Sequence, residues 1–282
     1  MGNFRAAMGR AAVISDIHGN GVALDAVFAD WRRRGGGGVV CLGDSAGGGP
    51  QPGHVLARLR ELKCRVVRGN ADDWLLSGRP KAGADEDTAT LEEIVAWARE
   101  RLSDEDRAFL RSLPRTLELA LDESTRLVAF HGTPRATTER LLHTMPDPVV
   151  AERLGDRMAS ILAGGHTHLQ GARVHRGALL LNPGSVGVPV RGEPTEGWLP
   201  DEAGWVAAHA EYAFVESKRG ALAVTLARVP VDPDAVRRAA ERSGMPHACG
   251  WAAVLARRVS RFNQRGARSS ASASADSTRQ AG

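Results

Sequence analysis

Five short segments, far apart in the chain, each place Asp, Asn or His directly behind an apolar run. They are Asp16-Ile17-His18 after residues 11–14, Gly43-Asp44 after 39–42, Gly69-Asn70 after 64–67, His131-Gly132 after 127–130, and Gly165-His166-Thr167-His168 after 161–163. The runs are short, rich in Val, Leu, Ile and Ala, and mostly bounded by glycine, which is how buried strands read. Such a chain must gather several strand ends at one edge of an open α/β sheet, where sites are assembled. The gathered groups are carboxylates, imidazoles and one amide oxygen, with no thiolate. That donor set suits a pair of borderline divalent ions better than a sulfur-bound structural zinc.

Taken singly, each segment has a plainer reading. Asp16 and His18, two apart, share one side of a strand if the strand runs through Asp16. The same pair also fits a strand-end cap and a surface histidine. Gly43-Asp44 is an ordinary turn pair, and Gly69-Asn70 could be a turn with Asn70 in the left-handed region. His131 alone could be a satisfied strand-end histidine. The dinuclear reading comes from the set, in order and each behind a strand.

The order D-x-H, G-D, G-N, H, G-H-x-H resembles the calcineurin-like metallophosphoesterases, over about residues 11–230. Other stretches are similar to a bacterial branch of small phosphodiesterase-like members: Ser15 to Asn20, the Gly47-Gly48-Gly49-Pro50 run, His131-Gly132-Thr133-Pro134, and Asn182-Pro183-Gly184-Ser185-Val186-Gly187. The resemblance implies a four-layer α/β/β/α sandwich with a small helical insertion. It implies that Asp16, His18 and His168 hold one ion, that Asn70, His131 and His166 hold the second, and that Asp44 bridges them. The ions would be two divalent metals, Mn²⁺ foremost, with Fe²⁺, Zn²⁺, Ni²⁺ and Co²⁺ also compatible. The implied reaction is hydrolysis of a phosphate ester, a phosphodiester before a monoester, by in-line attack of a metal-bridging hydroxide. The substrate would be a phosphate ester, with nucleotides among the candidates. The alternatives are a non-catalytic scaffold on the same fold and a phosphatase-like monoesterase. All seven ligand positions are filled here, and a pure scaffold has no need of them.

One departure stands out. Many members carry G-N-H-[DE], in which the histidine protonates the leaving group. Here Ala71 takes that place in Gly69-Asn70-Ala71-Asp72, and Asp72, which would orient the histidine, is expected to lack its partner. A histidine restored at 71 would then be expected to help poor leaving groups. Arg135, four residues after His131, could reach a substrate phosphate with its planar fork. Asn20 and Ser185 could line the cleft. His54, His143, His175, His209 and His247 match no ligand position and read as surface or helix residues.

Periodicity organises the rest. Leu24, Val27, Phe28 and Trp31 mark a helix over about 20–34. Val55, Leu56, Leu59 and Leu62 mark another over 52–63, giving a β-α-β-α-β start with a parallel sheet. Residues 72–113 turn helical, with a Leu91, Ile94, Val95, Ala98 stripe and a capping signal at Ser103 to Asp106. Residues 117–121 and 126–130 read as a hairpin, and helices are expected near 136–143 and 148–159. Short strands follow near 161, 172, 178, 211 and 222, the last two a hairpin. Residues 191–206 read as a loop insertion. Asp232-Pro233 starts a helix. The domain is expected to span 11–230, with a helical extension over 231–265, including a helix of about 250–263, and a disordered Ser/Ala-rich tail over 266–282.

Composition removes several classes. No run of 18 apolar residues is present to span a membrane as a helix. The three cysteines, Cys41, Cys64 and Cys249, form no CxxC, and Cys41 and Cys64 fall in expected strands, so a reducing cytoplasm is the expected setting. The net charge of +4 is concentrated late, with Arg237, Arg238, Arg242, Arg257, Arg258, Arg261, Arg265 and Arg268 in one stretch. Nucleic acid is therefore a weaker partner reading, because no aromatic residues interleave those arginines. The oligomeric state is left open.

Overall fold

The first strand shows how the layers are built. In β1 (Arg10–Ile14), Ala12 and Ile14 face one apolar cluster and Ala11 and Val13 another, and all four are fully buried. A strand covered on both faces must be apolar at every position, which is why it reads as a continuous run rather than an alternating one. The computed structural model describes residues 8–79, 86–189, 209–249 and 251.

The chain continues through α1 (Gly21–Arg33), β2 (Gly38–Cys41), α2 (Pro52–Glu61), β3 (Arg65–Val66), α3 (Asn70–Ser77), α4 (Glu86–Glu100) and α5 (Asp104–Ser112). It then forms β4 (Thr116–Ala120), β5 (Arg126–Phe130), α6 (Asp147–Leu154), β6 (Ile161–Ala163), β7 (Gly171–His175), β8 (Ala178–Asn182), β9 (His209–Lys218), β10 (Ala221–Pro230) and α7 (Pro233–Ser243). Two five-stranded sheets result, ordered β10-β9-β1-β2-β3 and β4-β5-β6-β8-β7. Both are mixed. In the first, β1, β2 and β3 run parallel and β9 pairs antiparallel with β1. In the second, β5, β6 and β8 run parallel, flanked by antiparallel β4 and β7.

The sheets face each other through Ala11, Val13, Val40 and Leu42 on one side and Leu127, Ala129, Ile161, Ala163 and Leu181 on the other. Outside the first sheet, α1 packs with Leu24, Val27, Phe28 and Trp31. Outside the second, Val150 and Leu154 of α6 meet Val128, Phe130, Leu162 and Leu180. This is the four-layer α/β/β/α sandwich. Ile94, Trp97 and Ala98 of α4 and Leu110 of α5 join the first helical layer. Caps fix the helix starts: Asn20 accepts from the Ala23 amide, Ser103 and Asp106 form a reciprocal box, and Asp232 accepts from Asp234.

Several expectations are corrected. Residues 136–143 are not helical, because Thr133 draws the following amides of Arg135 and Ala136 onto its own hydroxyl, a local turn that competes with a helix. The helix expected over 148–159 stops at Leu154, where Gly155 turns to φ 63°. His175 is not a surface residue: it is buried in β7, with Nδ1 3.2 Å from Asp147. Cys64 lies just before β3 rather than in it. The loop expected over 191–206 and the tail lie outside the described residues, as does all of the 250–263 helix except Trp251.

Candidate metal centre

All five ligand-bearing segments leave the two sheets at one end, and their side chains meet. Asp16, His18 and His168 bring one ligand atom each within 4.8 Å of one another, and so do Asp44, His131 and His166. Asn70 joins the second group, its Oδ1 3.1 Å from His131 Nε2. The geometry differs from a pleat. β1 ends at Ile14, and Asp16 and His18 sit at φ 52° and 46°. Asp44, His166 and His168 are also left-handed, at 51°, 66° and 57°. Of the nine non-glycine residues with positive φ among those described, five are candidate ligands. Such strain costs on the order of 1–3 kcal/mol per residue and clusters where function needs it. Asn70, by contrast, is not left-handed; it opens α3.

The backbone that holds these loops is cross-tied. The Asp16 and His18 amides donate to Gly43 and Asp44 carbonyls, and Ser185 Oγ and the Gly187 amide both donate to the Asp16 carbonyl. Asn182 donates to the Gly165 carbonyl and to Thr167 Oγ1, bracing the turn that carries His166 and His168. Glycine is required where chains touch: a Cβ on Gly69 would strike the Asp44 carboxylate, and one on Gly165 would strike Ser15 Oγ. Asn20 and Ser185 are buried braces of these loops, bonded to Gly187 O, Asp16 O and the Val188 amide.

Each imidazole is oriented by a carbonyl. His18 Nδ1 lies 2.8 Å from Gly47 O, His131 Nδ1 2.8 Å from Leu42 O, and His168 Nδ1 3.0 Å from Val188 O. A carbonyl only accepts, so each Nδ1 carries a proton and each Nε2 is turned toward the other group members. His166 is reversed: its Nε2 faces Thr138 O at 3.1 Å. The inward atoms crowd together. His18 Nε2 is 3.2 Å from His168 Nε2, and His131 Nε2 is 3.1 Å from the Asn70 amide oxygen. Asp16 Oδ1 is buried without a hydrogen-bond partner, 3.2 Å from His168 Nε2. Asp44 Oδ2 faces His131 at 3.2 Å and His18 at 3.8 Å, so it is shared by both groups. Imidazole nitrogens, an amide oxygen and two carboxylates converging in two adjoining groups fit a pair of divalent cations.

The remaining oxygens of the two aspartates are engaged by backbone. Asp16 Oδ2 accepts from the His166 amide at 3.0 Å, and Asp44 Oδ1 from the Ala71 amide at 2.7 Å. Without a cation, the groups adjust each other's protonation. Burial would raise Asp16, but His168, His131 and His18 hold it far below the carboxylate range. Burial also works against ionised Asp44, yet His131 and His18 pull it down. Burial works against a charged His131 too, but Asp44 and Asp16 outweigh it and push it up to about 9. His168 is raised the same way by Asp16 against its burial. His18 is lowered by burial and then by His168, and His166 falls to about 4 through burial and His131.

Asp72 is fully buried and has partners, although not the one expected of it. Oδ2 accepts from the Asp44 amide at 3.0 Å and the Gly69 amide at 2.9 Å, and Oδ1 accepts from Ser45 at 2.9 Å. It ties the β2 loop to the start of α3, while the Asp44 side chain caps α3 in return. Burial, then Asp44, raises its pKa to about 6. Ala71 is buried against the glycine loop: a Cβ on Gly47 would lie 3.2 Å from the Ala71 Cβ. Arg135 is exposed on the His131 loop, where Glu139 takes its Nε at 2.8 Å and Glu152 lies 3.6 Å away. His54 pairs with Asp25 at 3.0 Å. Arg237 and Arg238 pair with Glu241, Asp234 and Asp232. The orienting carbonyls of Leu42, Gly47 and Val188 carry no signal in the sequence, and the bracing role of Asn182 was not read from it either.

A family model described as a calcineurin-like phosphoesterase superfamily domain matches residues 10–203. An uncharacterized protein of Methanocaldococcus jannaschii is 32% identical over 195 residues, 63% of this chain and 76% of its own. The crystal structure of a metallophosphoesterase from Sphaerobacter thermophilus is similar at a TM-score of 0.64 and 25% identity, covering 89% of this chain and 99% of that one. That of a hypothetical protein from Pyrococcus horikoshii OT3 is similar at a TM-score of 0.65 and 20% identity, covering 87% and 97%.

Proposed function

The chain belongs to the calcineurin-like phosphoesterase superfamily, and on that premise we propose that it is a two-metal phosphoesterase acting on phosphodiesters. The observation that carries this reading is the convergence of two residue groups, Asp16, His18 and His168 in one and Asp44, His131 and His166 with Asn70 in the other, with His18 Nε2 3.2 Å from His168 Nε2 and His131 Nε2 3.1 Å from Asn70 Oδ1. Asp16, His18 and His168 would hold one ion and Asn70, His131 and His166 the other, with Asp44 between them. Two divalent cations, Mn²⁺ foremost because imidazoles disfavour Mg²⁺, supply electrophilic activation of the phosphoryl group and a water acidic enough to react at neutral pH.

The chain's own residues do the positioning. The Nδ1 protons of His18, His131 and His168 are held outward on carbonyls, so the imidazoles stay in one tautomer. The amides of His166 and Ala71 each fix one oxygen of Asp16 and Asp44 and leave the other facing the centre. One feature supports a diester over a monoester, and a second bears on the leaving group. Glu139 engages the Arg135 guanidinium, so it is not offered to a dianion. Position 71 has no imidazole to protonate a basic leaving group, which favours esters with good leaving groups. Nucleotide diesters are the first natural candidates. The unpaired cysteines fit a cytoplasmic setting; no helix among the described residues is long and apolar enough to cross a membrane.

The test is reconstitution with Mn²⁺ followed by elemental analysis and a hydrolysis panel of aryl phosphodiesters, aryl phosphomonoesters, dinucleotides and 2′,3′- and 3′,5′-cyclic nucleotides. About two ions per chain and chelator-sensitive diester turnover are expected. No bound metal would overturn the proposal, and monoesters turned over faster than diesters would overturn its substrate class.

A further inference from the structure

The two sheets have four edges among the described residues, and three are protected against adding a foreign strand. β3 is two residues long. β4 carries Glu118, paired with Arg126 at 2.9 Å. β7 carries Arg173, which is engaged by Asp147 and by the His143 and Met145 carbonyls. Short length and charge are the usual ways of blunting an edge.

β10 has neither. It is ten residues long and pairs on one side only, with β9. Residues 221–227, ALAVTLA, hold no charge, proline or glycine. Leu222 and Leu226 are 36% and 40% exposed, two of the four large hydrophobic side chains exposed among the described residues. Val224, on the same face, is half-buried against the core between the sheets. The Leu222-Val224-Leu226 face therefore prolongs that core to an edge that ends uncovered among the described residues.

The order of side chains along the strand says what covers it. About Val224 the run is nearly palindromic: Leu222 and Leu226 flank it on one face, Ala223 and Thr225 stand on the other, and Ala221 and Ala227 close it. We propose that β10 pairs antiparallel with β10 of a second copy of this chain, about a two-fold axis through Val224, joining two five-stranded sheets into one. Directly opposed residues in an antiparallel pair share a face. This register sets Val224 against itself and Leu222 against the Leu226 of the other copy, twice. Arg228 falls opposite Gly220, so no like charges stand directly opposite one another. An isologous contact needs one patch complementary to itself, and a palindromic strand is that patch. An unrelated extended peptide would also satisfy the open backbone, but it would not account for the palindrome.

Sedimentation velocity on the full, metal-loaded chain tests this. Wild type should sediment as a species of twice the 30.0 kDa chain mass. The pair of changes Leu222→Lys and Leu226→Lys should give a monomer, and so should Leu222→Glu with Leu226→Glu. Mixing the two should restore the dimer, because each lysine then meets a glutamate. A wild-type monomer, a dimeric lysine variant or no recovery on mixing would overturn the proposal. If the charged variants do not fold, Val224→Cys in a Cys249→Ser background gives the answer, since only the proposed register lets position 224 cross-link to itself. Capture of peptides by a monomeric wild type would instead make β10 a peptide-docking edge.

Discussion

The two candidate ligand groups use the same kinds of side chain but are held differently. Asp16, His18 and His168 all sit on left-handed loop residues, secured by carbonyls of the glycine loop and the 182–188 loop. In the second group, Asn70 is on the first turn of a helix, and that helix and Asp72 clamp Asp44 from both sides. The difference teaches where rigidity comes from. The first group depends on loops that must all be in place at once. The second is anchored on α3, whose N-terminal amides favour carboxylates in any case. Asp44 belongs to both, so the two groups should respond together to its loss and unequally to changes nearer one of them.

The largest effect is therefore expected from Asp44→Ala. It should remove both ions and reduce aryl diester turnover by more than the ~10–100-fold typical of an outer partner. Elemental analysis beside kinetics reads both, and retention of a full single site would show that Asp44 is not shared. Next comes Asp72→Ala, which frees the Asp44, Ser45 and Gly69 amides without touching a ligand. Affinity for both ions should fall, because Asp44 serves both, and should fall further, by ~10–100-fold, for the group that also holds Asn70, as titration calorimetry would resolve. Equal weakening of both sites would break the comparison.

Replacing Ala71 sharpens it further. The packing of Ala71 on Gly47 and the engagement of Asp72 with three amides revise the expectation from sequence alone. An imidazole at 71 would press on Gly47, whose carbonyl orients His18, and both Asp72 oxygens are already held by amides. Ala71→His should cost about 1–3 kcal/mol of stability as overpacking and leave the dependence of turnover on leaving-group pKa unchanged. A flattened dependence in the variant would mean that the ring found room.

The smallest effect concerns pH. In metal-stripped protein, His131 is raised to about 9. A histidine raised on folding contributes stability that is complete below its unfolded value, about 6.5, and is lost as pH rises through 9. His166, lowered to about 4, acts oppositely: it penalises the folded state as pH falls below 6.5. The stripped protein should thus melt a few °C lower at pH 9.5 than at pH 7, and the loaded protein should lose this dependence because the ions exclude the proton. Calorimetry on both forms checks it; an equal fall in both would place the titration outside the centre.

Much of this was legible in one dimension. Chemistry-bearing residues behind apolar runs marked the strand ends, because a strand buried on both faces leaves no polar position until it stops. The helical stripe of Leu24, Val27, Phe28 and Trp31 marked a layer, because only period 3.6 lines one face. What failed was local competition: residues 136–143 lost a helix to the Thr133 hydroxyl, and His175, with no motif around it, proved to be buried.

The sequence by itself determined the layered α/β fold and which side chains could meet, since both follow from side-chain type and spacing. The tertiary structure alone decided how they meet. It turned Asp16 and His18 into left-handed loop positions, and it made carbonyls of Leu42, Gly47 and Val188 the groups that aim the imidazoles. It also gave Asp72 three amides in place of a histidine. Backbone carbonyls and amides are the same at every residue, so no sequence pattern can show which of them will stand beside a ring or a carboxylate. Only the folding of distant loops onto one another settles that.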